Sequence, residues 1–107
     1  MAIVQYPHVQ PTPAVIDPAL LTRAAAVIKC LGHPLRLQLL DALEAGEATV
    51  TELQDRTGAA QATVSQQLAT LRGHGIVTAR RDGPFVRYSI VEPKVHQILA
   101  CIRGCGI

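Results

Sequence analysis

The stretch Gly58–Ile90, GAAQATVSQQLATLRGHGIVTARRDGPFVRYSI, decides how the whole chain is read. A glycine turn opens it. From Gln61 to Arg72, apolar Val64, Leu68 and Leu71 recur at helical spacing, while Ala62, Thr63, Ser65, Gln66, Ala69 and Thr70 fill the other sides. Gly73 and Gly75 close that helix. Two β-branched runs, Ile76 to Arg81 and Phe85 to Val91, then flank Asp82-Gly83, a strong hairpin signal. A helix with one apolar stripe and a small, amide-bearing outer face suits the DNA major groove. A hairpin carrying paired arginines suits the neighbouring phosphate backbone.

Working upstream, a short extended piece around Thr49 and Val50 leads to Thr51, read as the N-cap of a helix from Glu52 to Arg56 that stops at Gly58. That helix, the turn and the Gln61–Arg72 helix make a helix-turn-helix whose second helix lies in the groove. Earlier still, Asp17 followed by Pro18 predicts a first helix with an apolar face of Leu20, Leu21, Ala24, Val27, Ile28 and Leu31, ended by Gly32. His33-Pro34 opens a second helix, with Leu35, Leu37, Leu39, Leu40 and Leu43 directed to the core until Gly46. Downstream, Pro93 starts a last helix that ends near Gly104. The expected fold is mainly α with a small β-hairpin, in the order α-α-α-α-β-β-α: a winged helix-turn-helix. Residues 1–17, with Pro7, Pro11 and Pro13, read as an extended arm, either disordered or packed on a partner subunit, and residues 18–107 as one domain.

Composition agrees. At 107 residues the chain holds one core, and with 49% hydrophobic but only 3% aromatic residues that core must be aliphatic. The net charge of +2 is small, but it is unevenly spread. Up to Thr57 there are six acids (Asp17, Asp41, Glu44, Glu47, Glu52, Asp55) against four bases (Arg23, Lys29, Arg36, Arg56). From Gly58 to Tyr88 there are Arg72, Arg80, Arg81 and Arg87 against Asp82 alone, the electrostatic footprint of a polyanion partner. No apolar run approaches the ~20 residues that span a bilayer, and no secretion signal is seen. A cytoplasmic protein with three reduced cysteines and no membrane partner is expected.

The candidate DNA contacts divide by chemistry. Gln66 can hydrogen-bond an adenine edge with both ends of its amide, and Thr63 and Ser65 can reach bases or phosphates. Gln61 and Thr70 complete the polar set. Arg72, Arg80, Arg81 and Arg87 are expected to meet phosphate, giving salt-dependent affinity without base information. The bland alternative is a solvated helix face beside an ordinary charged hairpin. A winged helix used for protein contacts would instead want apolar or acidic groups on that face. No glycine-rich phosphate loop, nucleophile motif or carboxylate pair supports an enzyme.

The segments LGHPLRLQLLDAL (Leu31–Leu43), TVTEL (Thr49–Leu53), ATVSQQLATLRGHGIV (Ala62–Val77) and RRDGPFVRYSI (Arg80–Ile90) resemble the ArsR/SmtB family of small winged-helix repressors. The resemblance implies a homodimer joined through the first and last helices, and an inducer that releases operator DNA. Two recognition helices about one turn apart would read a pseudo-palindrome of double-stranded DNA. Family ligand sites transfer poorly. Where some members carry cysteines near the third helix, in a pattern like ELCVCDL, this chain has Thr49 and Thr51. A zinc set on the last helix would meet Glu92, Lys94 and Cys105, and the cysteine of persulfide-responding members is Asp41 here.

Cys30, Cys101 and Cys105 remain as candidate sensing residues. Cys101 and Cys105 share one side of the last helix, next to Ile98. If the first helix packs on the last, as the resemblance implies, all three thiols come together. Three thiolates suit a soft metal or metalloid inducer such as arsenite, Cd(II) or Pb(II). Oxidation or reaction with sulfur species is the alternative, and plain packing of small apolar side chains a third. No cofactor is required for DNA binding itself. The histidines lack second ligands at helical or hairpin spacing. His33 reads as a cap or a partly buried residue, His74 as a turn residue near phosphate, and His96 as lying away from the cysteines; His8, in the arm, could complete a site across a dimer.

Overall fold

The computed structural model describes residues 14–104; residues 1–13 of the expected arm, His8, Cys105 and residues 106–107 lie outside them. Five helices and one hairpin follow in the expected order: α1 (Pro18–Leu31), α2 (Pro34–Glu44), α3 (Val50–Thr57), α4 (Gln61–Gly73), β1 (Val77–Asp82), β2 (Phe85–Ile90) and α5 (Lys94–Gly104). The first three helices each start at a side-chain cap. Asp17 Oδ1 accepts the Ala19 N–H at 3.0 Å with Pro18 in the first turn of α1. His33 Nδ1 accepts the Leu35 N–H at 3.2 Å and Pro34 opens α2, so His33 is an exposed cap.

The start of α3 differs from expectation. Its N-cap is Thr49, not Thr51, in a capping box where Thr49 Oγ1 accepts the Glu52 N–H at 3.2 Å and Glu52 Oε1 accepts the Thr49 N–H at 3.0 Å. The extended residue is Ala48, which exchanges both backbone hydrogen bonds with Tyr88 and adds a third, one-residue rung beside β2. Gly58, with φ of 76°, ends α3 in the left-handed conformation and turns the chain into α4. The hairpin tip also sits one residue later than expected. Asp82 pairs with Phe85, leaving Gly83-Pro84 as the two-residue loop, with Gly83 at φ of 61°.

The core is aliphatic. Leu39, Leu40 and Leu43 of α2, Leu53 of α3, Val64, Leu68 and Leu71 of α4, Ile76, Val77, and Val95 and Leu99 of α5 are buried together. Leu35 and Leu37 pack only at its margin. The expected apolar face of α1 is mostly outside it: Cys30 and Leu31 are buried, but Leu20, Leu21 and Ile28 are exposed, Ile28 by 64%. No helix among the described residues is long and apolar enough to cross a membrane.

Candidate nucleic-acid interface

α4 turns Val64, Leu68 and Leu71 inward and leaves Gln61, Ala62, Thr63, Gln66, Ala69 and Arg72 exposed. Ser65 and Thr70 are half-buried at the edges of that face. Thr70 spends its hydroxyl proton on its own helix, donating to the Gln66 carbonyl at 3.2 Å. Its remaining contribution is an acceptor and a methyl group. Ala60, the N-cap, makes no side-chain cap bond. The first-turn N–H groups of α4 therefore stand open at the positive end of the helix, as a phosphate would require. That feature was readable in the sequence as an alanine where a serine or aspartate is usual.

The four arginines expected at phosphate fall into two pairs. Among the described residues, Arg72 and Arg81 have no ion-pair partner and both are exposed. Arg80 and Arg87, directly opposite each other in the hairpin, are held by acids. Arg80 bonds Glu47, and that hydrogen bond raises its pKa further. Arg87 Nε donates to Asp82 Oδ2 at 2.8 Å, and Nη1 lies 3.5 Å from Glu52 Oε1. The bond from Arg87 holds the Asp82 carboxyl below its usual range. Glu52 is lowered as well, first by the backbone bond from Thr49. Arg87 thus bonds Asp82 within the hairpin and, through Glu52, pairs the hairpin with the first turn of α3. The charge counts placed these acids in the chain but not beside the wing.

Behind the recognition face, Arg36 Nε donates to Gln67 Oε1 of α4 at 2.6 Å, a contact that no sequence spacing announced. His74 Nδ1 lies 2.9 Å from the Thr70 carbonyl at the end of α4, so it serves the helix terminus.

The candidate thiols are placed differently from one another. Cys30 is 4% exposed, with Nη1 of Arg36 at 3.9 Å from its sulfur and 3.0 Å from its carbonyl oxygen. Cys101 is exposed on α5, and Cys105 lies outside the described residues. Among the described residues no group of three or more His, Cys, Asp and Glu side chains is arranged to hold a metal ion. His96 pairs with Glu44 of α2 at 2.6 Å.

Comparison with known proteins carries the reading further. Residues 33–79 match the family described as bacterial regulatory protein, arsR family. The chain is 43% identical over 75 residues to the biofilm growth-associated repressor of Xylella fastidiosa, covering 70% of this chain and 66% of that protein. It is 38% identical over 79 residues to the probable mercury resistance operon repressor of Streptomyces lividans, covering 74% and 63% respectively. The matched part thus spans slightly under two thirds of these two relatives. The homodimeric winged helix-turn-helix DNA-binding domain of Mb0332 from Mycobacterium bovis, a possible ArsR-family transcriptional regulator, superimposes with a TM-score of 0.71. Its sequence identity is 38%, over 79% of each chain. The fold and these relatives together place the chain in the ArsR family of bacterial transcriptional regulators, with the winged helix-turn-helix architecture of its members.

Proposed function

We propose that the protein is a homodimeric repressor that reads a pseudo-palindromic operator with α4, grips the adjoining backbone with its wing, and lets go when its thiols take a soft metal or metalloid ion. The observation that carries the DNA part is the outer face of α4: exposed, with no side-chain cap at its positive end, and flanked by Arg72 and Arg81, which have no ion-pair partner among the described residues. The homodimer draws support from the exposed apolar residues of α1 and from the groove that α1 and α5 line together with Leu20, Val27, Ile28 and Ile98. The homodimeric Mycobacterium bovis domain adds to it. For the inducer, support comes from thiol chemistry and from the relative named for mercury resistance. Cys30, Cys101 and Cys105 are the residues assigned to it. The exposure of Cys101 favours a second reading, in which an oxidant or reactive sulfur species is the signal.

One experiment separates these. Reduced protein bound to a duplex that it selects from a randomised pool is titrated with arsenite, Cd(II), Zn(II), peroxide and polysulfide, beside a variant lacking all three cysteines. Release of the wild type by arsenite or Cd(II) alone supports metal or metalloid sensing, and release by peroxide or polysulfide supports the second reading. Equal release of both proteins by every reagent removes the cysteines from the mechanism.

A further inference from the structure

Arg36 sits in the first turn of α2, half-buried, where it faces two other helices at once. Its Nε donates to Gln67 Oε1 of α4 at 2.6 Å, and its Nη1 donates to the Cys30 carbonyl at 3.0 Å. Cys30 is the penultimate residue of α1, so that carbonyl is one of the terminal four with no partner inside the helix. A cation there also complements the negative end of α1. Gln67 lies between exposed Gln66 and buried Leu68, on the flank of α4 turned towards α2. Both bonds are charge-assisted, and the planar guanidinium fixes the angle between its two acceptors. α1 rests on α2, whereas α4 rests on α2, α3 and β1. The Arg36 fork spans from one to the other.

We propose that Arg36 is a positioning residue for DNA reading: it locks α4 to the end of α1, so that the helix which pairs subunits and the helix which meets base edges keep one mutual orientation. This rests on the DNA-reading proposal above. The lock acts on discrimination, because base-edge hydrogen bonds need tight placement while phosphate contacts tolerate small rotations.

The test is a double-mutant cycle with Arg36→Met, Gln67→Met and the pair. Affinity is measured for a duplex selected by the wild type from a randomised pool and for a scrambled duplex of equal length, with melting temperature recorded in parallel. Gln67→Met is expected to lower the selected-to-scrambled affinity ratio by about tenfold, the worth of one hydrogen bond to a charged group, and Arg36→Met, which also removes the bond to the Cys30 carbonyl, by at least as much. The double variant should lose no more than the worse single, because both remove the same bond. A ratio that holds while the melting temperature falls would overturn the proposal and leave Arg36 a packing residue. An additive loss would overturn it too, by making Gln67 a direct DNA contact. Gln67 is half-exposed, so its variant carries the test if Arg36→Met fails to fold. A wild type that selects no duplex defeats the DNA reading itself, a result distinct from either.

Discussion

Gln66 stands exposed on α4 with no side-chain partner among the described residues, so its amide has both a donor and an acceptor to offer a base edge. Gln66→Ala is expected to cost on the order of 1–3 kcal/mol at one base position while leaving affinity for scrambled DNA unchanged. Competition against operators altered one base pair at a time checks it, and an unaltered base preference would remove Gln66 from readout. The wing arginines separate by their partners. Arg81 has no ion-pair partner among the described residues, and Arg80 already bonds Glu47. Arg81→Ala is therefore expected to flatten the dependence of log affinity on log salt by about 0.9 per subunit, the share of one phosphate contact, hence by about 1.8 for a bound dimer. Arg80→Ala should flatten it by less, because part of its charge is compensated before DNA arrives. Equal changes in slope would show that the Glu47 bond opens freely on binding. The polar face of α4 was readable from spacing alone, whereas the pairing of Arg80 and Arg87 was not, since Glu47 and Glu52 reach the wing only through the fold.

At the scale of elements, α5 is clamped to α2 by charge. Glu44 takes a hydrogen bond from His96 and another from Arg103, and Arg103 also reaches Asp41. The bond from His96 first, and that from Arg103 next, hold the Glu44 carboxyl below its ordinary range. A carboxyl lowered in the folded state stabilises the protein above its ordinary pKa, and that contribution disappears as pH falls through the lowered value. Glu44→Gln should thus lower the melting temperature at neutral pH, and the gap from wild type should close in acid below the carboxylate range. A gap of constant width across a pH series would mean that the clamp adds nothing through ionisation. Helix and strand existence was accessible from apolar periodicity, yet two boundaries slipped for a physical reason. Thr49 and Thr51 each stand three residues before a Glu or Gln (Glu52, Gln54), so the capping-box pattern is degenerate in sequence. Burial of Leu53 and the Ala48–Tyr88 rung select Thr49. Likewise, Asp82 joins the strand because Arg87 holds its carboxylate there, shifting the loop to Gly83-Pro84.

For the molecule as a whole, the apolar face of α1 was evident from periodicity, but its part in a homodimer came only with the family resemblance, because periodicity does not say which chain covers a face. Within one subunit only the end of α1 is buried; Leu20, Leu21 and Ile28 remain exposed, Leu20 and Ile28 beside Ile98 of α5. Covering Ile28 with a second subunit would contribute about 2 kcal/mol per copy, hence about 4 kcal/mol per dimer, or roughly a thousandfold in dissociation constant. Ile28→Glu removes that contribution and sets a charge where water is to be excluded. Being exposed in the single subunit, the position tolerates the change without loss of fold. The variant is expected to sediment as a folded monomer at concentrations where the wild type is dimeric. It should also lose affinity for a two-half-site duplex far more than for a single half-site, since only the former requires two α4 helices held one turn apart. An Ile28→Glu protein that stays dimeric and binds both duplexes as the wild type does would place the subunit contact elsewhere. The spacing of the two reading helices would then have to be set by a surface other than α1.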